Sequence, residues 1–559
     1  MIIRELEPAI ERGARWAVAG RVLTMADSGE PQRVVVVEGD TIVDVGGPAL
    51  LTQVQEDEAT TVLDLGDGAV LPGFIDAHAH AEASARAHSE TVDCRVPGCK
   101  DVEEVLQTLS DNISRAREGW LVGQANLFYN QKLADKRMPT REELDSVSRD
   151  ISIVIRAGGH TSVLNTRAFE TSDVVRYAGK SGMMGGAVIE RDSAGEPTGV
   201  ISELDKALPL PVPTRDEVRE SLRSGLHDLF TRHGVTSVGE ISDSLEGLQL
   251  MDELISSGET PLRTSVLLWA PGTLTVDQVC DWERHLELRS GREWMHVRGL
   301  KVFADGGYSS RNAATRTEYL EPYALEKGSK GKVDLSVDQL RSFLERANAA
   351  GLQLAVHANG ERAQDAVCEA VMAVGPPQDE RLRTRVEHAG NFVTKPDTLE
   401  AWRGAGIIPI PQAVFLYNFG DLFPIYLGEA GQRGRFPFRT LLEEGWPISA
   451  SSDVFIGAEQ EQTRPLFSIW CCLRRQTFFG EIVDPEQAVG LDTALEMHTI
   501  NAALALGEEE RRGSLETGKL ADLVLLRRDP HDLEIDELRS LEVDATIAGG
   551  KLAHVRAGA

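Results

Sequence analysis

The feature that most constrains how this chain can fold is a repeated alternation. Short apolar runs, each ending near a polar side chain, are separated by stretches of helical periodicity. The runs are residues 69–77, 234–239, 263–268, 299–303, 353–357, 384–388, 406–410 and 447–453. Residues 338–347, between the fourth and fifth runs, repeat apolar side chains at helical spacing. Strands alternating with helices build a parallel sheet, and eight of them close a (β/α)8 TIM-like barrel of the α/β class. The 559 residues of the chain leave room for accessory domains.

The ends of the chain read differently. Residues 16–20, 33–40 and 41–46 are short β-branched runs punctuated by Gly-Asp, and residues 521–526 and 543–551 look similar. Residues 1–70 and 510–559 are therefore expected to form one composite β-sandwich domain, with the barrel at 71–509 inserted into it. Residues 85–215 are too long for a barrel loop. They contain helical stretches and the strand-like run Ile151–Arg156, so an inserted subdomain is expected there, a candidate lid over the site.

The first barrel run ends in His78-Ala79-His80. Residues i and i+2 of a strand share a face, so both imidazoles can aim at one point. Lys301 lies within a later run, and Glu240, His357, His388 and Asp453 stand at the ends of others. Four of the thirteen histidines thus fall where barrel enzymes keep their active sites. Imidazoles with a carboxylate are the donor set of a divalent metal centre, with zinc expected first.

Composition excludes several classes. A formal net charge of −30 disfavours binding to nucleic acid or to an anionic membrane. Glu5 and Glu7 stand where a signal peptide carries bases, and no run approaches roughly 18 apolar residues, so a cytoplasmic chain is expected. The six cysteines show no CxxC spacing and read as free thiols. Gly182–Gly186 lacks the Lys-Ser/Thr of a P-loop, and Ser449–Ser452 lacks a serine-hydrolase elbow.

Val70–His80 resembles the opening metal motif of the amidohydrolase superfamily. Residues 299–307, 356–360, 386–389 and 451–453 match its later motifs in order, and residues 513–524 resemble its return to the β domain. Arg156–His160, Ile201–Glu203 and Phe436–Arg439 are similar to motifs of the amidohydrolase 3, or YtcJ-like, branch, which includes N-substituted formamide deformylases. Relatives commonly carry Asp where this chain has Gly158.

The resemblance implies that His78, His80 and Asp453 hold one metal and that His357 and His388 hold a second. Lys301 would bridge two ions as a carbamate; the alternative is a lysine paired with Asp305. It further implies that metal-activated hydroxide cleaves a non-peptide C–N bond, that of an N-acyl or N-formyl amine or a cyclic amide. Asp453 would serve as general base and acid. His160 is expected to face the substrate, and Glu240, Tyr308 and Arg316 are candidate substrate contacts. The expected partner is a small amide, with a homodimer first among oligomeric states. Two other functions stay open: heterocycle deamination at the same site, and a non-catalytic regulatory protein on this scaffold.

Overall fold

The computed structural model describes residues 3, 6–26, 31–158, 161–177, 188–202, 204–321, 323–393 and 395–558. They divide into two compact units. The larger comprises Met1–Ala81, Leu226–Asp453 and Thr463–Ala559, and the smaller Glu82–Gly225 and Val454–Gln462.

The larger unit contains two sheets. In the first, strands from both ends of the chain pair in the order 551–555, 545–548, 523–526, 61–72, 16–22, 32–38 and 41–46. The unbroken run Val34–Val37 is buried on both faces. Val35 and Val37 join Trp16, Leu63, Leu523 and Ile547 in one core, while Val34 and Val36 pack with Val54 of the helix Pro48–Glu56. Burying each such side chain contributes about 1.5–3 kcal/mol, and covering both faces explains why this strand does not alternate.

The second sheet is the barrel wall. Seven parallel strands run in chain order: β1 (Phe74–Ala79), β2 (Val235–Ser242), β3 (Arg263–Trp269), β4 (Met295–Phe303), β5 (Gln353–His357), β6 (Arg385–Glu387) and β7 (Ile408–Ile410). The expected run 69–77 is divided at Gly73. Residues up to Pro72 belong to the first sheet, and β1 begins at Phe74. A Cβ at Gly73 would stand 2.1 Å from Thr236 Oγ1, so the crossing between sheets has room only for glycine.

The eighth expected strand, 447–453, needs correction, because it forms no ladder. Pro447 has no N–H to give. The Ala450 and Asp453 N–H groups donate to the carbonyls of Met497 and His78, both at 2.8 Å, so the segment is pinned in place without sheet geometry.

The closing motif at 513–524 acquires a physical role. Asp522, just before the strand 523–526, accepts from Arg263 Nε at 2.9 Å and from the Gly549 N–H at 2.7 Å. Arg263 begins β3, so this buried ion pair ties the terminal sheet to the start of a barrel strand.

The smaller unit is more ordered than its sequence suggests. Its six-stranded sheet runs 188–191, 197–202, 161–164, 152–157, 120–125 and 92–93, with helices at 102–111, 141–147 and 166–172. It also includes Val454–Gln462, a segment that the strand–helix alternation alone assigns to the barrel. Among the described residues, no helix is long and apolar enough to cross a membrane.

Candidate metal centre

His78 lies in the fully buried strand β1, and His80 follows its last residue. Asp453 reaches them from the pinned 447–453 segment: its Oδ1 is 3.1 Å from His78 Nε2 and 3.5 Å from His80 Nε2. The donor atoms of these three residues lie within 4.8 Å of one another. Asp453 adopts φ 46°, a left-handed conformation uncommon for a residue with a side chain. Such strain gathers at functional positions, where the surroundings over-determine it. Here the Ser452 N–H donates to Asp76 Oδ1 at 3.0 Å, next to the Asp453 bond to the His78 carbonyl.

The hydrogen bonds behind the histidines decide what faces inward. His78 Nδ1 lies 2.6 Å from Glu387 Oε2, and His80 Nδ1 lies 2.9 Å from the Ile241 carbonyl. A carbonyl only accepts, as does an ionised carboxylate, so both Nδ1 atoms carry the proton. Glu387 is ionised. Burial alone would raise its pKa, but the Arg385 guanidinium, at 2.8 and 3.0 Å, and His78 hold it well below the usual carboxylate range. His78 Nε2 is buried and faces Asp453 Oδ1 at 3.1 Å; burial lowers the His78 pKa, but the charges of Asp453 and Glu387 outweigh it and raise the pKa above its ordinary value. The Nε2 atoms of His78 and His80 thus converge on Asp453 Oδ1, two imidazoles and a carboxylate around one point. This donor set fits a divalent metal.

His388 and His357 form the adjoining cluster. His388, at φ 73°, donates from Nδ1 to Gln412 Oε1 at 2.7 Å. Gln412 Nε2 donates to the Ile410 carbonyl and to Ser451 Oγ, which fixes its oxygen as the acceptor. His388 Nε2 then presents a lone pair 3.0 Å from His357 Nδ1, and its ring comes within 4.0 Å of Asp453 Oδ2. Burial pushes His388 down to about 4 against the opposing charge of Asp453. Burial, with the charges of His388 and Lys301, holds His357 well below its usual range. Both are neutral at pH 7.

Lys301 is buried in β4, and its charge acts on all four histidines. Burial lowers its pKa to about 8, opposed by Glu387 and Asp453. Asp305, the alternative partner considered from sequence, is otherwise engaged. Its carboxylate accepts from the N–H groups of Ala314, Asn359 and Gly360 at 2.7–2.9 Å, and burial raises its pKa to about 7.

The remaining expected residues are more dispersed. Glu240 is fully buried, and its Oε2 accepts from the Ala81 N–H at 2.5 Å. Tyr308 is buried against Phe392 and Phe423 and donates to the Asn359 carbonyl at 3.0 Å. Arg316 is paired with Asp365 and Asp397, each at 2.8 Å. His160 and Glu203 lie outside the described residues. Sequence reasoning missed Glu387, Arg385 and Gln412. The available signal was Arg385-Val386-Glu387: two charges at i and i+2 on a strand that a barrel buries on both faces.

A parallel barrel that gathers His78, His80 and Asp453 beside the end of its first strand has the architecture of a metal-dependent hydrolase. The chain belongs to the amidohydrolase family, whose Amidohydro_3 model matches residues 61–554, and it acts on carbon–nitrogen bonds. It is 30% identical over 547 residues to N-substituted formamide deformylase from Arthrobacter pascens, covering 94% of this chain and 95% of that one. The putative amidohydrolase YtcJ of Bacillus subtilis is 24% identical, with 96% and 98% covered, which supports the YtcJ-like branch. In fold, the chain is similar to an uncharacterized metal-dependent hydrolase from Pyrococcus horikoshii. The TM-score is 0.71 at 21% identity, with 94% of this chain and 99% of that one covered.

Proposed function

We propose that the chain hydrolyses the amide bond of a small N-acyl or N-formyl amine or a cyclic amide, with an N-substituted formamide as the first substrate to test. One observation carries this: the donor atoms of His78, His80 and Asp453 lie within 4.8 Å of one another. The similarity to the Arthrobacter deformylase over nearly the whole chain supports the choice of substrate.

His78, His80 and Asp453 would hold one divalent ion, zinc first, and His357 and His388 a second. When bound, such an ion supplies Lewis acidity, polarising a carbonyl and lowering the pKa of water towards ~7. The chain's own residues do the rest. Glu387, the Ile241 carbonyl and Gln412 fix the tautomers of His78, His80 and His388. Asp453 takes a proton at its carboxylate and returns it to the leaving nitrogen. Lys301, with a pKa lowered to about 8, has an appreciable neutral fraction at physiological pH. Its amine can add to carbon dioxide and lose a proton, giving the carbamate that a two-ion centre requires. Glu240 would brace the end of β1 through Ala81, Tyr308 and Arg316 would hold the loop after β4, and His160 would face the substrate. Residues 71–509 carry the chemistry on a support built from 1–70 and 510–559, and the insertion at 85–215 sets specificity.

The test is a panel of N-formyl amines, N-acyl amines, cyclic amides and aminoheterocycles with zinc-reconstituted protein. Release of amine with carboxylate supports the proposal. Ammonia from aminoheterocycles alone would replace it with deamination, and no turnover would leave a binding protein.

A further inference from the structure

Three of the four clustered histidines have a single acceptor behind the ring: Glu387 for His78, the Ile241 carbonyl for His80 and Gln412 for His388. The surroundings of the fourth, His357, are built differently, and they lie wholly within the larger unit. His357 ends β5, and its Nδ1 faces His388 Nε2 at 3.0 Å. Its other ring nitrogen, Nε2, lies 3.1 Å from Asn359 Nδ2 and 3.4 Å from the Gly306 carbonyl. Asn359 Nδ2 donates to that same carbonyl at 3.2 Å. A carbonyl only accepts, so this bond fixes which way the amide is turned.

Asn359 and Gly306 come from different loops, and one side chain joins the two. Asp305 is buried with both oxygens in use. Oδ1 accepts from the Asn359 N–H at 2.9 Å, and Oδ2 accepts from the Gly360 N–H at 2.7 Å and the Ala314 N–H at 2.8 Å. Around it the backbones of the loops meet directly. A Cβ at Gly360 would stand 2.2 Å from the Ala314 carbonyl carbon, and the Ala304 N–H donates to the His357 carbonyl at 2.8 Å. Three buried N–H groups beyond the strand ends need an acceptor. A carboxylate serves all three through two oxygens, whereas a neutral amide brings only one. We infer that Asp305 is a positioning residue for His357: by tying the loop after β4 to the residues that follow β5, it sets Asn359 and Gly306 behind the ring and keeps Nδ1 aimed beside His388 Nε2. This rests on the proposed reading in which His357 and His388 hold a second ion.

The test uses the full chain, zinc in bicarbonate buffer as the probe, and three readouts: the affinity of each zinc equivalent by competition with a chromophoric chelator, kcat and KM on the best panel substrate, and the thermal midpoint. Asp305→Asn keeps the size and one accepting oxygen. It is expected to bind the second zinc about 10–100-fold more weakly with the first unchanged, and to lose kcat by about tenfold or more at unchanged KM. Tyr319→Phe loosens the same loop away from His357, by removing the bond from the Tyr319 hydroxyl to the Ala313 carbonyl, and is expected to lower the midpoint alone. A folded Asp305→Asn protein that matches wild type in second-zinc affinity and kcat overturns the inference, as does an equal loss of the second zinc in Tyr319→Phe. Should Asp305→Asn not fold, Asn359→Leu decides, because it removes the amide behind His357 and leaves the three N–H bonds to Asp305. Weaker second-zinc binding with lower kcat supports the inference, and wild-type values overturn it. Wild-type protein that takes up only one zinc also overturns it, whether or not the amide is hydrolysed. Wild-type protein that takes up two and hydrolyses nothing counts against the proposed function alone.

Discussion

Replacing Glu387 by Gln probes the metal centre from behind. Glu387 is fully buried, and its carboxylate orients His78 through a 2.6 Å bond and neutralises Arg385. Glutamine keeps an oxygen for the His78 proton but removes the charge. Arg385 is then left with the Ala77 carbonyl at 2.8 Å and an Nη1 that already has no partner. Breaking a fully buried pair from one side costs about 3–5 kcal/mol of stability. Loss of an outer-shell partner weakens metal binding about 10–100-fold, or about 1.4–2.8 kcal/mol. The two effects separate in Arg385→Met/Glu387→Gln, which removes the stranded cation. The double variant is expected to recover most of the melting temperature but none of the zinc affinity, read by chelator competition and by thermal melting of metal-free protein. A Glu387→Gln protein that binds zinc as tightly as wild type would refute the reasoning.

Three further outcomes are expected. Asp453→Asn should lower kcat by about 10²–10⁴-fold while the backbone holds, since asparagine tolerates the left-handed turn at φ 46°; full activity in this variant would end the acid–base role. Gly73→Ala drives a Cβ into Thr236 and should cost about 1–3 kcal/mol in denaturant unfolding, and an unchanged midpoint would show that the crossing can relax. His498, whose buried ring is pushed down to about 4 and bonds only the Ala494 carbonyl, is neutral in the folded state. Its folded pKa lies below its unfolded value of about 6.5, so its contribution is complete above that pH and is lost as pH falls towards 4. His498→Gln should flatten the fall in stability over that window by about 1–3 kcal/mol, whereas a parallel curve would place the titration elsewhere.

The parts of this molecule that could be read from the sequence are those governed by local periodicity. His78-x-His80 was visible because a strand repeats every second residue. His357 and His388 were visible because they end apolar runs. Lys301 stood out because a lysine inside a buried strand needs a reason. Four features were not legible. Glu387 meets His78 from 309 residues away, and nothing local announces that bond. The 447–453 segment has a strand's composition, but its N–H groups are taken by Met497 and His78, so only packing reveals that no ladder forms. The smaller unit hid half of its strands because they are short: 92–93, 161–164 and 188–191 have four residues or fewer, too few for alternation to register. The joining of Val454–Gln462 to that unit depends on Lys132 and Asn126, more than 300 positions earlier.

The most direct measurement is an anomalous-scattering map at the zinc edge from crystals of protein reconstituted with zinc and freed of excess metal. Expected is a peak among His78 Nε2, His80 Nε2 and Asp453 Oδ1, where the donor atoms now face one another, with a second peak by His357 and His388 if Lys301 is carboxylated. A map with no peak at His78 and His80, from protein that still hydrolyses the amide after chelation, would contradict the metal centre.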